Sequence, residues 1–133
     1  MHAPDALPPD ALGLLALTLA PGMGPVRIAR VLDAFGTFER VRAASAAELA
    51  RVPGIGDKTA RSILESLKDA DARVARELER IARARATVLT LADDASPPLL
   101  RAIPAAPPVL TVRGELRAGD LDRYTVAIVG SRG

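Results

Sequence analysis

Apolar residues recur at helical spacing along the first two-thirds of the chain and then give way to short β-branched runs. Leu12, Leu15 and Leu19 mark one face of a helix from Ala11 to Ala20, with Asp10 as its N-cap. Ile28, Leu32 and Phe35 make a second face, and Gly36 stops that helix. Thr37 is placed to cap a short turn carrying Phe38 and Val41. Ser45-Ala46-Ala47-Glu48 has capping-box spacing, which starts a helix at Ala46 that Pro53 ends early. Ala60, Ile63, Leu64 and Leu67 form the next face. A longer helix over Asp71–Ala84 carries Val74, Leu78 and Ile81 as a narrow stripe. The grammar changes at Thr87. Thr87–Leu91 and Val109–Val112 read as strands, separated by an irregular stretch holding five prolines with one turn at Leu99–Ile103. Val126–Val129 is an unbroken apolar run, the pattern of a parallel strand buried on both faces.

Two glycine phrases punctuate the helical part. Pro53-Gly54-Ile55-Gly56 lies between two helical patterns, and Pro21-Gly22-Met23-Gly24 repeats it 32 residues earlier, so one supersecondary unit occurs twice. Without a Cβ, the glycines let the chain reverse tightly, while Ile55 tucks between the helices. The helix that then begins at Asp57 offers free N–H groups and a positive dipole end to a phosphate, with Lys58 beside it. This resembles the helix–hairpin–helix motif, which grips nucleic-acid backbone without reading bases. Gly54, Ile55, Gly56 and Lys58 are the backbone-binding candidates of the second hairpin, and Gly22, Gly24 and Arg27 those of the first. The first copy has Pro25, which removes one donor, and Val26 where the second has Lys58. Either hairpin also reads as a tight helix connection and nothing more.

Composition narrows the chemistry. Among 133 residues the aromatics are Phe35, Phe38 and Tyr124, so the obvious base-stacking platform for single strands is lacking. Net charge is only +2, but residues 21–92 carry 13 basic and 9 acidic groups, whereas residues 93–133 carry five of each. The basic excess lies with the hairpins, a modest electrostatic footprint. Arg73, Arg76, Arg80 and Arg83 form a row opposite the apolar stripe of their helix. That row reads either as a ridge for nucleic acid or an acidic partner, or as a solvated, salt-bridged face. There is no cysteine, and His2, in a frayed terminus, is the one histidine, so no metal site and no Ser–His catalytic set is expected. The apolar run at 11–20 is too short to span a bilayer, and the acids before it do not suit a signal peptide.

With both halves in view, the chain resembles the amino-terminal part of the DNA-processing protein A family, DprA, also called Smf. The resemblance rests on the paired hairpins, on Ser96-Pro97-Pro98-Leu99-Leu100, on Ala106-Pro107-Pro108-Val109-Leu110-Thr111-Val112-Arg113-Gly114, and on Val126-Ala127-Ile128-Val129-Gly130-Ser131-Arg132. It implies a helical, SAM-like domain followed by a Rossmann-like domain that binds single-stranded DNA and dimerises. It further implies RecA and a second copy of the protein as partners, natural transformation and recombination as the process, and a cytoplasmic protein. From the family's loop, Gly130, Ser131 and Arg132 carry over as DNA-backbone contacts. The family's Rossmann-like domain runs on past Gly133, so most of its DNA surface is expected beyond this chain.

The expected fold is mainly α, a helical bundle with two helix–hairpin–helix motifs followed by an incomplete α/β, Rossmann-like segment. The expected organisation is a flexible lead-in over 1–10, a helical domain over 11–86 and the start of a second domain over 87–133. Three classes of function stay open. The first is a DNA-binding fragment, for single strands as the resemblance implies or for duplex without sequence preference. The second is a protein-interaction module in which the hairpins are only structure. The third, an enzyme, is disfavoured: Gly-x-Gly-x-x-Gly does not follow Val129 and no acid–base pair is evident, so no cofactor and no catalytic residue is expected.

Overall fold

The computed structural model describes residues 1–115, 117, 119, 126 and 128–130. Among these residues, seven helices and a two-stranded sheet follow one another as α1 (Pro9–Leu19), α2 (Pro25–Phe35), α3 (Phe38–Ala43), α4 (Ala46–Ala50), α5 (Asp57–Leu67), α6 (Ala70–Arg83), β1 (Ala86–Thr90), α7 (Pro98–Arg101) and β2 (Val109–Arg113). The protein is thus a helical unit with two hairpins followed by a partial sheet.

Local chemistry explains most boundaries. Thr37 caps α3 by accepting the Arg40 N–H at 3.3 Å. Ser45 and Glu48 form the reciprocal capping box of α4, at 3.1 and 3.3 Å. Gly36 closes α2 with φ +84°, its N–H donating to the Leu32 carbonyl at 2.7 Å. One start differs from expectation. α1 begins at Pro9, whose fixed φ suits a first helical position, so Asp10 lies inside the first turn and does not cap it.

The main core gathers Leu17, Val31, Val41, Leu49 and Ile63, all wholly excluded from solvent, from five different helices. α1 runs through it with Ala11, Gly13, Leu15, Ala16 and Leu17 buried, a wider arc than the leucine spacing alone predicts. Gly13 permits this, because a Cβ there would lie 2.7 Å from the Cβ of Phe38 on α3. α2 buries Ile28 and Val31, leaving Leu32 and Phe35 half-covered.

A smaller cluster holds Ile81, Ala86 and Val88, with Leu7, Leu78 and Val109 against it. β1 and β2 pair antiparallel, with Val88 opposite Thr111. The other edge of β1 is met by the amino terminus: His2 and Val88 exchange two backbone hydrogen bonds of 2.8 Å. His2 Nε2 also lies 2.9 Å from Asp93 Oδ1, while Asp93 Oδ2 accepts the Thr90 N–H at 2.7 Å. His2, expected to be frayed and without a role, therefore ties the start of the chain to the sheet. Burial alone would raise the Asp93 carboxyl, but the Thr90 N–H and the His2 imidazole outweigh it and hold Asp93 below the ordinary carboxylate value.

The strand expected at Val126–Val129 does not form at the residues described there. Val126, Ile128 and Val129 carry no ladder hydrogen bonds and are 88%, 96% and 91% exposed. Among the described residues nothing lies beside them to pair with or to cover them, and an apolar run alone supplies neither. Gly130 is equally open, with nothing within 4 Å of an added Cβ. Ser131 and Arg132, expected with it as a phosphate loop, lie outside the described residues.

Candidate nucleic-acid interface

The two hairpins repeat each other in backbone detail. Gly22 and Gly54 have φ of +79° and +86°, the left-handed region that glycine enters without strain. Met23 and Ile55 then point inward, 8% and 3% exposed, and plug the gap between flanking helices. Gly24 and Gly56 return to extended backbone, with φ of −98° and −89°, as the N-caps of α2 and α5. The first helical bonds match as well: Ile28 N–H to the Gly24 carbonyl at 3.0 Å, and Ala60 N–H to the Gly56 carbonyl at 2.8 Å.

One expected donor is not available. The Ile55 N–H, read from sequence as facing a phosphate, donates to the Val52 carbonyl at 3.0 Å, and Met23 does the same to Ala20 at 3.2 Å. Burying the side chain turns that amide into the reverse turn. The open donors lie on either side of it. Among the described residues, the N–H groups of Gly54, Gly56, Asp57, Lys58 and Thr59 find no acceptor within the chain. The first hairpin has fewer, since Pro25 has no N–H.

The N-caps sharpen the point. α3 and α4 close their first turns with the Thr37 and Ser45 side chains, whereas α1, α6 and α7 start on proline or on an aspartate that makes no cap. α2 and α5 start on glycine, with no capping side chain. Ser, Thr, Asp or Asn would satisfy an N2 or N3 donor here. Space does not forbid them, for an added Cβ at Gly24 or Gly56 meets nothing within 4 Å. Glycine at both places leaves donors uncovered and lets a ligand approach the backbone.

Charge follows the same geography. Arg27, Arg30, Arg51, Lys58 and Arg61 surround the hairpins, and none has a carboxylate within ion-pair distance among the described residues. Lys58 is exposed in the first turn of α5, beside the Asp57 carboxylate. Arg27 Nη1 donates to the Gly22 carbonyl at 2.7 Å, and Arg30 Nη1 to the Pro53 carbonyl at 3.1 Å. The arginine row of α6 behaves differently. Arg80 pairs with Glu77 at 3.3 Å, Arg83 with Glu79 at 3.5 Å, and Arg73 donates to the Ser66 carbonyl at 3.2 Å. The row is thus salt-bridged at Arg80 and Arg83, while Arg76 is exposed with no carboxylate within ion-pair distance among the described residues. Arg30, which does stand at a hairpin, was missed because its partner is 23 residues away and no local spacing marks it.

Among the described residues, no group of three or more His, Asp or Glu side chains is placed to hold a metal ion. None of their helices is long and apolar enough to cross a membrane.

Comparison with known proteins agrees with the hairpin geometry. Residues 14–69 match the family model described as a SAM-like helix-hairpin-helix tandem. Among curated proteins, the chain is similar to UvrABC system protein C of Thermobifida fusca, 51% identical over 57 residues, which is 43% of this chain and 9% of that protein. It is also similar to UvrABC system protein C of Beutenbergia cavernae, 51% identical over 47 residues, covering 35% and 7% of the two chains. The corresponding protein of Salinispora tropica is 46% identical over 54 residues, covering 41% and 8%. The chain therefore spans less than a tenth of the length of these relatives. No solved structure matches.

These findings correct the resemblance to the DprA family. The chain finds UvrABC system protein C, and the strings at 96–132 that had pointed to DprA lie outside residues 14–69, which the family model matches. With the resemblance go the RecA and self-association partners and the role in natural transformation. The physical reason is that a hairpin tandem is a portable unit: its glycines and capping positions report a fold, and the same fold serves unrelated proteins.

Proposed function

We propose that the paired hairpins bind the sugar–phosphate backbone of duplex DNA without reading base sequence. The observation that carries this reading is the pair of open glycine N-caps, each beside cations that lack acid partners. Free N–H groups at a helix start, aligned with its dipole, suit a phosphate oxygen. Such contacts fix position on the backbone and carry no sequence information. The match to a helix–hairpin–helix tandem supports it. Duplex is favoured over single strands because both phenylalanines are half-buried, which leaves no stacking platform at the hairpins. The module is read as a binding unit and not as an enzyme.

Lys58→Glu tests this. Two or three phosphate contacts give a log–log salt slope of about −2 to −3 on duplex DNA. Reversing Lys58 should weaken binding about tenfold, equally for unrelated sequences, and flatten the slope by about 1. Fluorescence anisotropy with labelled duplexes over a salt series measures both. Unchanged affinity would assign the second hairpin to structure alone and favour a protein partner for the module.

A further inference from the structure

We infer that Arg30, on α2, is a direct phosphate ligand of the second hairpin, so that the site is built from both repeats. The inference rests on the backbone-binding reading above and deepens it.

Three observations converge on this guanidinium. It is exposed, and no carboxylate among the described residues neutralises it. One donor, Nη1, is held by the Pro53 carbonyl at 3.1 Å. The same nitrogen stands 2.6 Å from where a Cβ of Gly54 would be, so the guanidinium lies directly against the glycine turn. Gly54 is thus required twice, once by its left-handed backbone and once by the arginine that occupies the side-chain space.

Arg27 lies three residues earlier, on the same side of α2, and is held by the Gly22 carbonyl at 2.7 Å. One helix therefore sets an arginine on each hairpin. A guanidinium has five N–H donors in a planar fork. The carbonyl holds Arg30 by one nitrogen, and the remaining edge is left for a bidentate contact with a phosphate. Because the side chain is already held, it loses less rotamer freedom on binding than Lys58, which nothing holds. The internal repeat does not duplicate this device, since Ser62 stands at the position equivalent to Arg30. Arg30 gives the second hairpin a cation that the sequence of that hairpin does not contain.

The experiment measures the full chain on labelled duplex DNA over a salt series, for wild type, Arg30→Ala, Arg30→Lys and Lys58→Glu, each checked by circular dichroism. Arg30→Gln replaces the alanine variant if that one fails to fold. Arg30→Ala should lower affinity about tenfold and flatten the salt slope by about 0.9, one phosphate contact. Arg30→Lys should restore the slope yet stay severalfold weaker, because an ammonium lacks the fork. An affinity loss with unchanged slope would show that Arg30 only steadies the turn, and unchanged affinity that it is a bystander; either overturns the inference. If Lys58→Glu weakens binding while Arg30→Ala does not, the backbone-binding reading survives and this inference falls. If wild type shows no salt-dependent binding, both fall.

Discussion

Replacing Gly54 by alanine separates what the hairpin needs for folding from what it needs for its ligand. An L-residue at φ +86° costs about 1–2 kcal/mol. Alanine recovers about 0.4–1 kcal/mol by restricting the unfolded chain. The new methyl also displaces the Arg30 guanidinium 2.6 Å away, which gives up an exposed hydrogen bond of about 0.5 kcal/mol. The guanidinium is the mobile end of a long side chain, so it moves without dragging the backbone. The net loss is about 1 kcal/mol, roughly 4 °C in melting temperature for a chain of this length. Gly22→Ala is the matched control. Its φ is +79° but its surroundings are empty, so it should lose about half as much. Gly24→Ala and Gly56→Ala keep a permitted backbone in open space and should stay within about 0.5 kcal/mol of wild type. Thermal melts followed by helical circular dichroism give the ranking. If Gly56→Ala costs as much as Gly54→Ala, or if Gly54→Ala is neutral, then the left-handed turn and the arginine contact are not what the glycine serves.

Two other sites give sharp expectations. Gly13→Ala should gain about 1 kcal/mol of helix propensity and lose more by driving a methyl to 2.7 Å from the Phe38 Cβ. A net destabilisation of about 1–2 kcal/mol by chemical denaturation is expected, and net stabilisation would show that α1 and α3 separate freely. Asp93 has a folded pKa below its unfolded value, so its contribution is present above about pH 4 and is lost as pH falls through the folded value. Asp93→Asn should therefore lower the melting temperature near neutral pH and match wild type in strong acid; a deficit that persists in acid would mean that the ionised carboxylate is not the cause.

Legibility in the sequence tracked the range of the interaction concerned. The capping box at Ser45 and the stop at Gly36 are decided within four residues and were readable. The hairpins were readable because the phrase occurs twice, and a repeat supplies its own control. The extra burial of α1 was not, since it depends on Gly13 meeting Phe38, a contact between separate helices. Nor was Arg30, whose role depends on Pro53 being brought back to it. His2 shows the same limit at greater distance, its partners Val88 and Asp93 lying at the far end of the helical unit in sequence. At Val126–Val129 the pattern named a strand, but a strand exists only where another backbone lies beside it. The family assignment failed for a related reason: motifs that fix a fold were asked to name a biological role.

The position of α6 has a mechanical consequence. Ala70 and Val74, in its first half, belong to the main core, whereas Leu78 and Ile81, in its second half, belong to the cluster under the sheet. A single continuous rod of 14 residues is thus anchored at both ends in different apolar clusters. To loosen one cluster while keeping the other, the rod must fray through its middle turn, around Ala75–Glu77, breaking helical hydrogen bonds that cannot re-form singly. Loss of order on either side is therefore transmitted to the other as strain along one helix. The hairpins therefore inherit part of their rigidity from the sheet, through α6 and through α1, which also meets β2.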